Sequence, residues 1–365
     1  MRCENQRRRE LAKGSPDMTS TVRVVVPNYN YARFLHTCVE SVLSQEGVNV
    51  LVLIIDDGSS DDSPRVAERL AGKDQRVQFR QHTENQGHLK TFNEGLEWAI
   101  GATYAVVLDA DDALTPGALR RACELLDAHQ ELGFVYGRPL VFHGDGPLPR
   151  PPNRSPRWKT WRGSEWFEIR CRRAQNCVAS PEVVMRTSVL RKAGGFQEDL
   201  PHTADFELWM RLALHAGVGY IAGPHQAYYR KHSAGMQSRL FSTDLADLTH
   251  VHRAFETIFH YHADSIQGRV RLEKMVKRML ARHALRSACR ALECGPSKLA
   301  EASGLEALAV AAYGDVTDLP EWRSLSWRKM VGPQLSRMAH PFLVMSKGLR
   351  LARQVNRFRL RSIGL

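Results

Sequence analysis

Short apolar runs alternate with longer amphipathic segments over much of the chain. Consecutive apolar residues predict buried strands, and apolar residues spaced three or four apart predict the helices between them. The first predicted strands are residues 22–26, 50–55, 77–80 and 104–108. Strands that alternate with helices of this length are typical of an α/β fold, Rossmann-like, with a mostly parallel sheet and helices on both faces.

Polar, turn-forming residues follow three of these strands, at residues 27–30, 56–60 and 109–112. Right-handed crossovers gather the carboxyl ends of parallel strands at one edge of the sheet. Ligands of open α/β sheets bind at that edge. The sequence therefore predicts a ligand site built from these three segments.

The third segment holds a cluster of carboxylates, Asp109, Asp111 and Asp112. Acids this close repel one another unless a cation or strong hydrogen-bond donors collect their charge. A metal ion is one explanation, and solvated turn residues between a strand and a helix are the other. Thr115 and Pro116 are expected to be the N-cap and first residue of the following helix.

The middle of the chain is less regular. Residues 144–157 are rich in Pro, Gly and Arg and predict a loop, which Trp158, Trp161 and Trp166 follow. Tryptophans in a basic stretch can stack on nucleotide bases or sugar rings, but more often they pack a loop onto the body of the protein. Further elements are expected at residues 182–186, in a short helix ending at 194–196, in a helix from about 205, and in strands 218–221 and 227–230.

Three regions are predicted. Residues 1–20 form a disordered leader, with Met18 as an alternative start, residues 21–240 form the α/β domain, and residues 241–365 form a helical C-terminal region. The last of these ends in a basic amphipathic tail, in which cations alternate with apolar residues. Such a tail is expected either to lie on an anionic membrane surface or to pack on the domain as a solvated helix.

Net charge, cysteine content and hydropathy indicate which partners and which cellular compartment are expected. The 365 residues carry a formal net charge of +12, which favours anionic partners such as nucleotide phosphates, nucleic acid or an acidic membrane. The seven cysteines are odd in number and include no CxxC pair, which fits a reducing cytoplasm, and Cys38 and Cys123 are expected to be core residues. No apolar run reaches the ~20 residues of a spanning helix, so a cytoplasmic protein, soluble or peripheral on the inner membrane face, is expected.

Six short motifs together resemble the GT-A glycosyltransferases of family 2. They are VVVPNYN at 24–30, DDGS at 56–59, Asn85 with Gly87, DADD at 109–112, TADFELW at 203–209 and YRKH at 229–232. The resemblance spans residues 22–240 and implies a GT-A fold that binds a nucleotide-sugar donor and a divalent cation, Mg²⁺ or Mn²⁺.

The resemblance also implies roles for individual residues. Asp57 accepts a hydrogen bond from the nucleotide base, Pro27 supplies backbone contacts and Tyr29 a stacking face, while Asp56 braces the turn. The expected nucleotide-binding residues are Pro27, Tyr29, Asp57, Asp109 and Asp111, and the expected metal ligands are Asp111, Asp112 and His232. Arg230 or Lys231 is expected to pair with phosphate.

Asp205 matches the catalytic aspartate of the family, which takes the proton from the acceptor hydroxyl. Ala204 stands where the commoner motif has Glu, so Asp205 is expected to stay ionised at a helix N-terminus. Phe92 stands where the family often has Arg, which removes one expected phosphate contact.

The function that these residues predict is an inverting, metal-dependent transfer of sugar from a nucleotide-sugar donor, expected to be a UDP-sugar, to a glycan or lipid-linked acceptor in cell-surface polysaccharide biosynthesis. The alternatives are an inactive GT-A scaffold, a nucleotidyltransferase and a basic nucleic-acid-binding protein. A nucleotidyltransferase needs a Gly-rich, Lys-containing loop, which residues 27–30 lack. The acidic cluster argues against nucleic acid as the partner.

Overall fold

The computed structural model describes residues 20–232, 243–332 and 364. Its main feature is an eight-stranded sheet with the strand order β3-β2-β1-β4-β9-β6-β10-β8. The strands of this sheet are β1 (Thr21–Asn28), β2 (Asn49–Asp56), β3 (Val77–Gln81), β4 (Tyr104–Val107), β6 (Leu132–Tyr136), β8 (Arg157–Trp161), β9 (Val184–Arg186) and β10 (Gly217–Ala222). Six strands run in one direction and only β8 and β9 run against them, so the prediction of a mostly parallel sheet is confirmed.

The register of the central strands creates the functional edge. β1 pairs with β2 from Thr21 and Asn49 to Asn28 and Asp56, so both strands end side by side. β4 lies on the other side of β1 in the same direction, which brings the acidic cluster to this edge. The first and second polar segments therefore adjoin the third.

Helices cover both faces of the sheet. They are α1 (Ala32–Leu43), α2 (Ser63–Lys73), α3 (His88–Ala99), α4 (Ala118–Ala128), α5 (Gly163–Arg173), α6 (Thr187–Ala193) and α7 (Ala204–His215). Side chains alternate along β1, so Val24 and Val26 enter one apolar core with α1 and α4, while Val25 enters a second core with α3 and α7. Both faces of the central strands are thus buried, as is usual for parallel sheets.

A small second sheet lies beside the acidic cluster. Its strands β5 (Ala113–Leu114), β7 (Pro139–His143) and β11 (Ala227–Lys231) are ordered β5-β11-β7. β5 directly follows Asp112 and β11 directly precedes His232, so their pairing brings two distant parts of the chain together.

Residues 243–332 add four helices, α8 (Asp244–Tyr261), α9 (Arg269–Cys294), α10 (Leu299–Ala312) and α11 (Pro320–Val331), in this described part of the region beyond 241 that the sequence predicts to be helical. They share a core with the sheet domain, since Phe255 of α8 contacts Phe206 of α7 and Phe259 contacts Phe167 of α5. None of the helices within the described residues is long and apolar enough to cross a bilayer. The leader, the boundary near residue 240 and the basic tail lie outside the described residues.

Two local predictions have clear outcomes. The helix after the acidic cluster begins at Ala118, with Gly117 as its N-cap, so the assignment of Thr115 and Pro116 to its start is wrong. The Thr115 hydroxyl instead donates to the carbonyl of His225, and its N–H donates to Gln226, which ties this turn to β11. Residues 144–156 form the predicted loop.

The tryptophans after that loop mainly pack. Trp161 and Trp166 are buried in the core, and only Trp158 is exposed. Cys38 and Cys123 are buried core residues, as predicted. These positions therefore serve the fold.

Candidate functional site

A cleft of about 510 Å³ opens at the carboxyl edge of β1, β2 and β4. All eight of the predicted site residues line it: Pro27, Tyr29, Asp57, Asp109, Asp111, Asp112, Asp205 and His232. They come from segments more than 200 positions apart, which the two sheets and α7 bring together. Their individual roles remain predictions, but their shared position is a property of the fold.

A larger cleft of about 840 Å³ lies elsewhere, between α5 and the start of α9. Its Arg172 and Arg271 both pair with Glu168, at 2.6 and 2.9 Å. It contains none of the predicted residues, so size alone does not identify the candidate site.

Asp56, the last residue of β2, and Asp57, which follows it, make different contacts. Asp56 is fully buried and accepts hydrogen bonds from the Asn28 amide at 2.7 Å and from the Ser59 hydroxyl and N–H at 2.6 and 3.0 Å. It braces the turn, in agreement with the role expected for it. Asp57 points into the cleft and accepts from the N–H groups of Gln86 and Gly87, at 2.8 and 3.0 Å.

Tyr29 and Pro27 flank this carboxylate. Pro27 belongs to β1 and has no N–H, whereas Tyr29 lies just beyond the strand with 47% of its surface exposed. An exposed ring at the lip of a cleft is available for stacking.

His82 is a site residue that the sequence analysis missed. It follows β3 directly, and its ring nitrogens lie 2.8 Å from Asp57 Oδ1 and 2.8 Å from Glu94 Oε2. Glu94 in turn pairs with Arg80 at 3.0 Å. The position of His82 after a third strand of the same sheet is the signal that could have identified it.

The acidic cluster is fixed by β11. Asp112 is 3% exposed, and its Oδ1 accepts the N–H of Arg230 at 2.8 Å. The guanidinium of Arg230 donates to the carbonyls of Asp111 and Gly144, at 3.0 and 2.8 Å, and lies over the Phe34 ring. Arg230 therefore holds the backbone of this turn, and since both Arg230 and Lys231 line the cleft, the phosphate contact expected from one of them stays a prediction.

The residues present fit a divalent cation. Within the part of the chain that the structure describes, the buried Oδ2 of Asp112 accepts no hydrogen bond, which leaves a carboxylate oxygen to bind an ion. His232 Nε2 lies 2.9 Å from Asp111 Oδ2, so the third predicted ligand is in place beside the first. No three acidic, His or Cys side chains in residues 20–232 and 243–332 form a ready-made metal cage. Mg²⁺ and similar hard cations need only one or two protein carboxylates when a substrate phosphate and waters complete the shell.

The crowding of the acidic cluster raises the pKa of two of its carboxyl groups. Burial, with the charges of Asp111 and Asp205, raises the pKa of Asp109 to about 7. Burial, with the charges of Asp111 and Asp109, also raises the pKa of Asp112 well above its usual range. These carboxylates thus hold negative charge at a cost that a cation would relieve.

Asp205 faces the acidic cluster from the first turn of α7. Its carboxylate accepts from the Phe206 N–H at 2.6 Å and from the Asn176 amide at 3.1 Å. Burial nonetheless raises its pKa to about 6, against the lowering effect of these hydrogen bonds and of His202. Asp205 is therefore a stronger base than the helix N-terminus alone predicts, though still mainly ionised at neutral pH.

Helix α8 supports the segment before Asp205. His202 Nε2 lies 3.0 Å from Asp247 Oδ1, and the Thr203 hydroxyl donates to the carbonyl of His250 at 3.1 Å. The Arg253 guanidinium donates to the carbonyl of Asp199 at 3.3 Å. The C-terminal helices thereby fix the approach to α7.

Phe92 occupies the place of the expected arginine. Its ring packs against His88 and Phe196, with centroids 5.6 and 5.2 Å away. This part of the cleft wall is apolar and offers no phosphate contact from position 92.

The chain is similar in sequence to a known protein family and to individual proteins. The model of the family "Glycosyl transferase family 2" matches residues 23–190, which include Asp57 and the acidic cluster but end before Asp205 and His232. An uncharacterised protein of Mycobacterium tuberculosis is 27% identical over 235 residues, covering 60% of this chain and 69% of that protein. The succinoglycan biosynthesis protein ExoO of Rhizobium meliloti is 38% identical over 144 residues, but these cover only 37% of this chain and 40% of ExoO.

Two solved structures share the fold. TarS of S. aureus in complex with UDP-GlcNAc has a TM-score of 0.57 at 16% identity, covering 82% of this chain and 90% of that one. The mannosyltransferase PcManGT of Pyrobaculum calidifontis, in complex with GDP-Man and Mn²⁺, has a TM-score of 0.53 at 17% identity, covering 90% and 87%. Both alignments therefore cover most of this chain.

Proposed function

This chain belongs to glycosyl transferase family 2, whose model matches residues 23–190, and has the GT-A fold, and we propose that it transfers a sugar from a nucleotide-sugar donor to an acceptor hydroxyl. One observation carries the proposal: Asp57, the acidic cluster and the separate carboxylate of Asp205 line the same cleft. Donor recognition, leaving-group stabilisation and proton removal each need one of these groups.

Binding of the donor base is assigned to the residues that follow β1 and β2. Asp57, held by two backbone N–H groups, accepts the ring N–H of the base, and Tyr29 stacks on its face. Uracil and guanine both present such a ring N–H. The solved relatives hold UDP-GlcNAc in one case and GDP-Man in the other, and we propose a UDP-sugar here.

The leaving diphosphate is assigned to the acidic cluster. Asp111 and Asp112, with His232, would hold Mg²⁺ or Mn²⁺, and the ion supplies Lewis-acid stabilisation of the charge on the departing diphosphate. Mn²⁺ accompanies GDP-Man in the structure of PcManGT, which supports a divalent ion in this role. Asp109, beside them at the end of β4, orients the ribose.

Asp205 is assigned as the general base. It removes the proton from the acceptor hydroxyl while the oxygen attacks the anomeric carbon and the bond to the diphosphate breaks on the opposite face. One displacement of this kind inverts the configuration at that carbon and needs no covalent intermediate. The pKa of about 6 leaves Asp205 ionised at neutral pH and able to accept the proton.

The acceptor is proposed to be a growing glycan or a lipid-linked sugar in cell-surface polysaccharide biosynthesis. The name of the related ExoO, a succinoglycan biosynthesis protein, supports this class.

The test is a panel of UDP-, GDP- and dTDP-sugars, with and without Mn²⁺, read by thermal unfolding and by donor hydrolysis. We expect one nucleotide class to raise the melting temperature only when the metal is present. A protein that no nucleotide stabilises would instead be an inactive scaffold. Binding to any oligonucleotide that weakens steeply with salt and ignores nucleotide sugars would favour the nucleic-acid alternative.

Asn176 provides a separate check on the base. Asn176→Asp keeps the acceptor that the Val178 N–H uses at 3.0 Å but places a second carboxylate against Asp205. Like charges at this distance raise a carboxyl pKa, so the acid limb of the kcat/KM profile should move up by about one pH unit or more. Gln175→Glu is the matched control, because its side chain faces His283 and should leave the profile unchanged. An unshifted profile in Asn176→Asp would contradict Asp205 as the base.

A further inference from the structure

His82 lies between two carboxylates behind the nucleotide end of the cleft. Its side chain is only 9% exposed, and each ring nitrogen lies 2.8 Å from a carboxylate oxygen, of Asp57 on one side and Glu94 on the other. The main-chain N–H of His82 donates to the carbonyl of Asp56 at 2.8 Å, which fixes the residue to the end of β2. The ring is therefore held from three sides.

We propose that His82 is a positioning residue that holds Asp57 in place as a pure acceptor for the donor base, and that this makes donor binding weaken as the imidazolium loses its proton. The inference rests on the proposed function, because it assigns a task to the base-reading carboxylate of the same site.

The hydrogen bonds of Asp57 define what it can read. Oδ1 accepts from His82 Nδ1 and from the Gln86 N–H, and Oδ2 accepts from the Gly87 N–H. Each carboxylate oxygen has room for about two donors, so Oδ2 keeps one acceptor direction. Asp57, held by these three donors, is thereby fixed as an acceptor. It therefore pairs with the ring N–H of uracil or guanine and opposes the acceptor nitrogen that cytosine and adenine present there.

The charges around the ring determine its protonation. Asp57 faces it from the end of β2 and Glu94 from α3, and Arg80 of β3 neutralises part of Glu94. A neutral imidazole has only one N–H and can serve only one of its two carboxylates. Burial lowers the pKa of His82, but the hydrogen bonds to Asp57 and Glu94 outweigh burial and raise it above the usual value.

The direction of the pH effect follows. Below the raised pKa both ring nitrogens carry protons and Asp57 is held on both oxygens. As pH rises through that pKa, Glu94 competes with Asp57 for the remaining proton, and Asp57 then loses one of its three donors and is held by the N–H groups of Gln86 and Gly87 alone. Nucleotide affinity should therefore fall at alkaline pH. Deprotonation of His82 should not speed the proton transfer to Asp205.

Two substitutions at this position separate positioning from charge. In His82→Asn the side-chain amide takes the place of Nδ1 and can still donate to Asp57, without titrating. In His82→Gln the amide takes the place of Nε2, so the bond to Glu94 is kept and the bond to Asp57 is lost. Glu94→Gln removes the charge that supports the imidazolium.

The experiment is calorimetric binding of UDP and GDP with Mg²⁺ between pH 6 and 9. We expect the nucleotide that wild type binds to bind His82→Gln about tenfold more weakly at pH 7. His82→Asn should bind within about threefold of wild type and lose its alkaline decline, and Glu94→Gln should shift that decline to lower pH.

Each outcome decides. Equal affinity of His82→Gln and wild type at every pH overturns the inference and leaves the proposed function standing. An unchanged alkaline decline in His82→Asn also overturns it, and this holds even if His82→Gln does not fold. Failure of wild type to bind either nucleotide overturns the proposed function and the inference with it.

Discussion

Replacing Asp112 with asparagine should abolish metal-dependent sugar transfer without unfolding the protein. Asn keeps the oxygen that accepts the Arg230 N–H, so the backbone contact with β11 survives. It removes the negative charge and replaces the buried Oδ2 with an amide nitrogen that cannot bind a cation. Because the ion contributes several kcal/mol to leaving-group stabilisation, kcat/KM should fall by at least about 10³-fold.

The same substitution should not lower stability. The folded pKa of Asp112 is raised, so the native state holds its proton more tightly than the unfolded chain does. The charge therefore destabilises the fold increasingly as pH rises above the unfolded pKa of about 4. Without metal at pH 8, the Asp112→Asn variant should melt at a temperature no lower than wild type.

The measurements are donor hydrolysis against Mn²⁺ concentration and thermal unfolding with and without UDP and Mn²⁺. Asp318→Asn is the matched control, since this exposed acid lies in the C-terminal helices and should change neither result. An Asp112→Asn variant that retains wild-type activity and metal dependence would remove Asp112 from the proposed metal site.

Replacing Asp205 with asparagine should separate binding from chemistry. Loss of a general base costs about 10² to 10⁴-fold in rate, and the fall should appear in kcat. Nucleotide affinity should stay within about threefold of wild type, because Asp205 lies on α7, across the cleft from the strand ends that hold the base and metal.

The pH profile of kcat/KM for the wild type should also report the ionisation of Asp205. Asp205 must be ionised to accept a proton, so kcat/KM for the acceptor should fall about tenfold per unit below pH 6. Steady-state kinetics with a fixed saturating donor and direct nucleotide titration test both statements. Equal losses of nucleotide affinity and kcat would assign Asp205 to donor binding.

The sequence predicted the fold, and the strand ends that border the cleft, where local patterns determine them. The apolar runs before residues 27, 56 and 109 predicted three strand ends at one edge, and the register of β1 with β2 agrees. All eight site residues line one cleft because the family motifs sit at those strand ends and on α7.

Contacts between distant segments could not be predicted in the same way. Arg230 or Lys231 was expected to bind phosphate, but only the pairing of β11 with β5 and β7 shows that the Arg230 guanidinium also donates to the carbonyls of Asp111 and Gly144. The start of α4 shifted for the same reason, since Thr115 bonds to His225. His82 shows no local motif, and its role emerges only when β3 places it beside Asp57 and Glu94.

The bracing of residues 199–203 by α8 divides the cleft between two parts of the chain. The donor half is carried by strand ends within the first 112 residues together with His232 after β11, whereas the base is carried by a segment that packs against the C-terminal helices. Under the proposed function, natural variation in α8 can reshape the acceptor side while the nucleotide side keeps its inherited geometry. Such a division would let substitutions in a helix outside the cleft lining change the acceptor without disturbing the groups assigned to the donor.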